Sequence, residues 1–206
     1  MAITAKAVQE LRVKTNVGMM DCKRALEEAD GDMDKAVELL RARGIAKAED
    51  RMGRVAKEGL ITSFLQDGKL GVLLEVNSET DFVARTDEFQ GYTASLAEHV
   101  AAAEPIADDP AGLLEQQFEG DSSKTVQDVH AELVAKCGEN VTIRRFDRYR
   151  LGENSGDAGV VTAYIHTGSK LGVMLEIGCE SDGAASSDAV QEFSRDVAMH
   201  IAASAP

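Results

Sequence analysis

A chain of 206 residues, 44% hydrophobic and 28% charged, is long enough for one large or two small domains with proper cores, and no apolar run in it approaches the ~20 residues that cross a bilayer. Its net charge of −14 is uneven: residues 1–58 sum to +1 and residues 59–206 to −15, an acidic body that argues against nucleic acid, which needs a basic footprint. With no Trp and 4% aromatic residues there is no stacking platform either, so the expected partner is a protein.

Cys22, Cys137 and Cys179 lie far apart, odd in number and without a Cys-x-x-Cys pair, as suits a reducing cytoplasm. The N-terminus shows no basic-then-apolar export pattern, which points the same way. Residues 4–43 read as three short helices. Thr4 is the expected N-cap of the first, with Val8, Leu11 and Thr15 on one face. Gly18 is expected to turn the chain with positive φ and Asp21 to cap the second helix, whose Ala25, Leu26 and Ala29 face inward. Met33, Ala36, Val37 and Leu40 line the third, and Gly44 is its expected stop. Met19 and Met20 fall in the turn between the first two. One is expected to plug the bundle and the other to offer an apolar tip to a partner.

Residues 45–58 are charged and alanine-rich, a helical or partly flexible connector. From Gly59 the pattern becomes strand-like. Leu60–Leu65 and Leu70–Val76 flank Asp67-Gly68, a hairpin signal. A loop carrying Thr80-Asp81-Phe82-Val83 follows, then a helix through Phe89, Tyr92, Leu96 and Val100 that Pro105 and Pro110 are expected to end. Leu113, Leu114 and Phe118 suggest a short helix. Val126, Val129, Leu133 and Val134 suggest another, with Gly138 as its stop. Val141–Tyr149 alternates as a third strand with one solvated face.

The unit then starts again. Gly159-Val160-Val161-Thr162-Ala163-Tyr164-Ile165 matches Gly59 to Leu65, Lys170 to Ile177 matches Lys69 to Val76, and His200 to Pro206 matches His99 to Pro105. One unit used twice gives an α+β fold. Its parts are a three-helix domain (1–44), the connector (45–58), a first antiparallel sheet-plus-helix repeat (59–152) and a second, incomplete one (159–206). The second sheet is expected to lack a strand and to show an unpaired edge, as in a shortened chain or one that closes the sheet another way. Where the first copy has Thr80-Asp81-Phe82-Val83, the second has Ser181-Asp182-Gly183-Ala184. A ring kept in one copy alone suggests a job done once.

No Gly-rich phosphate loop appears, and His99, His130, His166 and His200 show no metal spacing, so neither a metal nor a cofactor is expected. His99 and His200 are repeat equivalents, which favours a structural role. Asp81 beside Glu79 is a weak acid–base pair, and the chain is not expected to be an enzyme.

Leu11-Arg12-Val13-Lys14-Thr15-Asn16-Val17-Gly18-Met19-Met20-Asp21-Cys22-Lys23-Arg24-Ala25-Leu26 resembles the N-terminal domain of bacterial translation elongation factor Ts. Glu75-Val76-Asn77-Ser78-Glu79-Thr80-Asp81-Phe82-Val83-Ala84 resembles that family's signature. The resemblance covers the whole chain. It implies a guanine-nucleotide exchange factor that promotes GDP release from elongation factor Tu, with no direct nucleic-acid or membrane contact, and a ubiquitin-associated-like fold for residues 1–44. It implies that Thr80, Asp81, Phe82 and Val83 form a wedge that disturbs the GTPase's Mg²⁺ site, Phe82 inserting between helices of its nucleotide domain. Met19 and Met20 match that family's contact with the same domain, and His166 stands where its core has a histidine facing another part of the partner. Longer members continue through a helical hairpin and a final strand and helix, which bears on affinity and self-association. Two other readings are a protein- or peptide-binding module without exchange activity and an enzyme using a carboxylate such as Asp81.

Overall fold

The computed structural model describes residues 3–15, 17–49, 54–103, 109–153 and 156–204. Three helices come first: α1 (Ala5–Thr15), α2 (Met19–Glu28) and α3 (Met33–Glu49). Their apolar stripes converge on Val8, Leu11, Cys22, Ala25, Leu26, Ala29, Ala36 and Leu40, a small core of its own. The Thr4 hydroxyl accepts the Ala7 N–H at the start of α1 (3.2 Å), as the sequence suggests. Between α2 and α3, Asp30 and Gly31 take positive φ (52° and 87°), and the Asp32 carboxylate then accepts the N–H groups of Asp34 and Lys35 (3.1 Å each).

Four expectations fail here. Gly18 sits at φ −56°, ψ 143° as the N-cap of α2, so Asp21 lies inside the first turn, paired with Arg24, and is not the N-cap residue. Met19 and Met20 therefore belong to the helix, and neither plugs the bundle: they are 47% and 65% exposed. α3 also runs through Gly44 to Glu49. The five residues after Gly44 include two Ala, a Lys and a Glu, and good helix formers carry a helix past one glycine that costs about 1 kcal/mol.

The first sheet is antiparallel, in the order β1 (Glu58–Gln66), β2 (Leu70–Ser78), β3 (Val141–Arg150). Asp67 and Gly68 both take positive φ (53° and 65°), the primed turn that suits a two-residue hairpin. Between β2 and β3 lie α4 (Asp81–Ala84), α5 (Asp87–Ala102), α6 (Pro110–Glu115) and α7 (Val126–Cys137). The segment after β2 is thus not an open loop, because Thr80 caps a helical turn. Pro110 ends nothing but opens α6 behind its N-cap Asp109, since a proline at the first helical position forfeits no hydrogen bond. Pro105 lies outside the described residues. Phe118 falls beyond α6 and packs its ring on His99, centroids 5.7 Å apart. Gly138 stops α7 at φ 76°. One face of β2 (Val72, Leu74, Val76) is buried with Phe89, Tyr92, Leu96 and Val100 of α5 and with Val126 and Val134 of α7.

The second unit repeats this with β4 (Gly159–Ile165), β5 (Gly172–Gly178), α8 (Asp182–Ala185) and α9 (Asp188–Ser204). Among the described residues β5 pairs with β4 alone, so its other edge has no strand. The two sheets meet through equivalent glycines. A Cβ on Gly71 would lie 2.7 Å from Val161 Cγ1 and 2.9 Å from Met174 Sδ, and one on Gly172 would lie 2.7 Å from Ile61 Cγ2. Only a bare backbone permits that approach. The helices cover the outer faces. α7 packs against α5, and among the described residues no helix takes its place over α9. Phe193, the counterpart of buried Tyr92, is 58% exposed, and His200, the counterpart of buried His99, is exposed.

Candidate functional site

The Thr80–Val83 turn begins where β2 ends. Thr80 is extended (φ −125°, ψ 155°), and its hydroxyl accepts the Val83 N–H (3.4 Å). Thr86 repeats the device at α5, accepting from Phe89 N–H (3.3 Å). Two caps six residues apart hold a one-turn helix between rigid ends. Phe82 stands on it 80% exposed, while Ala84, two residues on, is buried. Asp81 carries an ion pair to Arg85 (2.8 Å) on the same surface. Such an exposed pair contributes about 0–1 kcal/mol, so a partner can take Asp81 from Arg85 at little cost.

The second unit serves as an internal control. Ser181 caps α8 through Ala184 N–H (3.2 Å), and Ser187 accepts from Val190 N–H (3.3 Å). The turn forms there with Gly183 in the ring's place. Phe82 is therefore not needed to make this backbone, and an 80% exposed ring does not fill a core. Water-facing apolar surface of that size is costly unless something covers it.

The first turn has a brace as well. The Glu139 carboxylate, just before β3, accepts the Thr80 N–H (2.9 Å) and the Thr80 hydroxyl (2.6 Å). Ser78 Oγ donates to Thr80 O (2.8 Å). Glu79 accepts the Asn140 N–H (2.6 Å) and pairs with Arg54 (3.4 Å), while Asn140 Nδ2 donates to Arg54 O (2.7 Å). The strand end, the α7–β3 junction and the incoming connector are thus tied into one polar knot beneath the exposed ring.

The family described as "Elongation factor TS" matches residues 79–206, from the start of this turn onward. An elongation factor Ts of Trichlorobacter lovleyi is 47% identical, the match covering all of this chain and 64% of that protein. One from Clostridium perfringens is 48% identical over 99% of this chain and 63% of its own length, and one from a Nostoc species 44% over 98% and 62%. The chain belongs to the elongation factor Ts family. It spans slightly less than two thirds of the length of these elongation factor Ts relatives.

In this family member the other residues singled out by sequence lie on two further surfaces. His166 is exposed in the β4–β5 turn, its Nδ1 2.8 Å from the Tyr164 phenolic oxygen. That turn sits against the first sheet: Ile61 N–H donates to Ser169 O (2.7 Å) and Lys170 pairs with Glu58 (2.6 Å). Glu58 lies opposite Ser78, so the His166 turn and the Phe82 turn share one end of the β1–β2 hairpin. Met19 and Met20 lie apart on the helical unit, which meets the core where Arg41 of α3 pairs with Asp128 of α7 (3.2 Å). Among the described residues no hydrogen bond or ion pair joins either methionine to the Phe82 turn. No helix among them is long and apolar enough to cross a membrane.

Sequence reasoning missed Glu139 and Asn140. They lie 59 to 86 residues from the groups they hold, and nothing in Gly138-Glu139-Asn140 beyond a helix stop marks them. Nearby, the buried His99 and the half-buried His130 stiffen the same unit. His130 Nε2 lies 3.0 Å from Val141 O, which can only accept, so this nitrogen carries the proton and Nδ1 accepts from Tyr92 O–H (2.8 Å). His99 Nδ1 accepts Glu119 N–H (3.2 Å), leaving Nε2–H to donate to Gln116 (3.1 Å). Burial holds both imidazoles below the ordinary value of 6.5 and pushes the Tyr92 phenol up.

The unfolded chain therefore binds protons near pH 6.5 that the folded one refuses. Stability from these groups is complete above 6.5 and is lost progressively as pH falls below that value and through the lower folded-state pKa. Asp32, Asp121 and Asp128, held below 3.8 by hydrogen bonds to their carboxylates, act in the same direction but only at lower pH. Thermal unfolding followed from pH 7.5 to 5 should show a falling Tm, and His130→Asn should flatten that slope; a Tm independent of pH in this window contradicts the assignment.

Proposed function

We propose that the chain is a guanine-nucleotide exchange factor for elongation factor Tu, acting in the cytoplasm during translation elongation. The observation that carries this is Phe82: an exposed ring on a braced turn, present in one copy of a duplicated unit whose other copy forms the same turn without it. Family membership supports the choice of partner.

The physical logic is short. In nucleotide sites of this class Mg²⁺ is among the largest local charges and bridges phosphate oxygens. An exchange factor need not touch the nucleotide. It needs only to bind the nucleotide-free partner more tightly than the GDP form, and linkage then makes GDP and the factor weaken each other equally. A rigid turn presenting a ring to a gap between partner helices, with the Asp81 carboxylate beside it, gains its contact energy only where those helices have moved apart. The turn's brace matters because a floppy ring would lose that energy to ordering.

Met19 and Met20 supply a second contact that holds the partner whatever its nucleotide state. Replacing both by Ala should raise the concentration needed for half-maximal GDP release by about tenfold, the apolar area of roughly one side chain, and leave the maximal rate unchanged. A fall in the maximal rate instead would place the methionines in the exchange step itself.

The second reading, a binding module without exchange activity, draws on those same exposed methionines. It expects tight association with the GTPase and no faster GDP release. The position of the His166 turn, at the same end of the hairpin as Phe82, supports reading it as a contact with another part of the same partner.

A further inference from the structure

We infer that the cleft between the connector and the β2–β3 edge is a binding site for a small phosphorylated anion of the diphosphate class. The cleft is open to solvent, offers about 530 Å³ and is lined by Arg54, Ala56, Lys57, Asn77, Asn140, Thr142 and Arg144. That volume falls within the range of small-molecule sites. Three cationic side chains, two amides and a hydroxyl face it, with no carboxylate among its lining residues. In a chain of net charge −14 this lining is locally positive.

Arg144 is there for a specific reason. The pairing of β2 with β3 passes from Glu75↔Arg145 to Val76↔Ile143, so Arg144 is the extra residue of a β-bulge. Bulges re-aim a side chain, and this one breaks the alternation of β3, leaving Arg144 and Arg145 exposed in succession. Arg145 is neutralised by Glu75 (2.7 Å). Arg144 and Lys57 make no ion pair among the described residues, and Arg54 shares one nitrogen with Glu79 at 3.4 Å. Two uncommitted cations and part of a third, backed by amide and hydroxyl donors, fit an anion carrying several charged oxygens better than a single carboxylate.

A free anion is favoured over a nucleic-acid backbone on charge and shape. A long polyanion would run out of this patch onto the acidic body, whereas a compact one stays within the local positive field. None of the lining residues is aromatic, so no base could stack there.

The test uses the full chain, ¹⁵N-labelled, titrated with sodium pyrophosphate against sodium chloride of matched ionic strength. The site requires saturable amide shifts centred on Asn77, Asn140, Thr142 and Arg144, with Kd at or below about 1 mM. The Lys57→Ala/Arg144→Ala chain, altered at two exposed positions and therefore expected to keep its Tm, should bind at least about tenfold more weakly. Shifts that follow ionic strength and spread over the surface overturn the proposal, as does unchanged affinity in the double variant. A short single-stranded RNA that displaces pyrophosphate at lower phosphate concentration also overturns it, in favour of a nucleic-acid surface.

Discussion

Phe82→Ala is expected to lower the maximal rate of GDP release from elongation factor Tu by roughly 10- to 100-fold while leaving the thermal stability of the free chain unchanged. The rate term comes from the ring's area. Burying a phenylalanine is worth about 1.5–3 kcal/mol, each 1.4 kcal/mol is tenfold, and the proposed mechanism spends that contact in the state where the partner's helices have parted. The stability term comes from exposure. A side chain 80% open to water loses little when truncated, and the second unit already folds its equivalent turn around Gly183. Stopped-flow release of a fluorescent GDP analogue, with calorimetry on the free variant, checks both halves. An unaltered maximal rate would remove Phe82 from the exchange step. A fall in Tm of several degrees would mean that the ring packs inward in solution and that its exposure carries no functional weight.

Glu139→Ala is expected to slow exchange by about tenfold through the turn, without touching the partner. One carboxylate accepts both the N–H and the hydroxyl of Thr80, at 2.9 and 2.6 Å. Hydrogen bonds to an ionised acceptor contribute about 1.5–3 kcal/mol each, less where water can replace the lost partner. The half-buried site allows partial replacement, so a net loss of about 1–2 kcal/mol is reasonable, a Tm decrease of a few degrees at this chain length. Freed of its anchor, Thr80 no longer fixes the first turn of α4, and Phe82 must be ordered on binding. Amide hydrogen exchange at Thr80 and Val83 should accelerate in the variant, and Glu139→Gln, which keeps one acceptor oxygen, should recover part of both effects. Slower exchange with unchanged amide protection would mean that Glu139 meets the partner directly.

Much of the fold could be read from the chain because it is written twice. The repeat of Gly59–Val76 in Gly159–Ile177 exposes the strand pairs and the hairpins, and one recurring pair, Gly71 and Gly172, sits where the sheets touch. The loss of the ring in Ser181-Asp182-Gly183-Ala184 is visible for the same reason. What failed was local competition. Asp21 resembles a cap, but the chain enters α2 two residues earlier at Met19, which turns both methionines outward. Gly44 resembles a stop, but the residues after it favour helix more than one glycine opposes it. What could not be read was side-chain geometry across long separations. Glu139 on Thr80, Asn140 on Glu79 and the Arg144 bulge depend on how β3 is registered against β2, and no short motif encodes that register.

The most direct test is to load elongation factor Tu with a fluorescent GDP analogue, add the 206-residue chain with excess unlabelled GDP, and follow release. Acceleration that saturates with chain concentration, and that the Phe82→Ala chain does not reproduce, is the expected result. Release no faster than the spontaneous rate, at concentrations where the two proteins are bound, would contradict the exchange reading and leave a binding module.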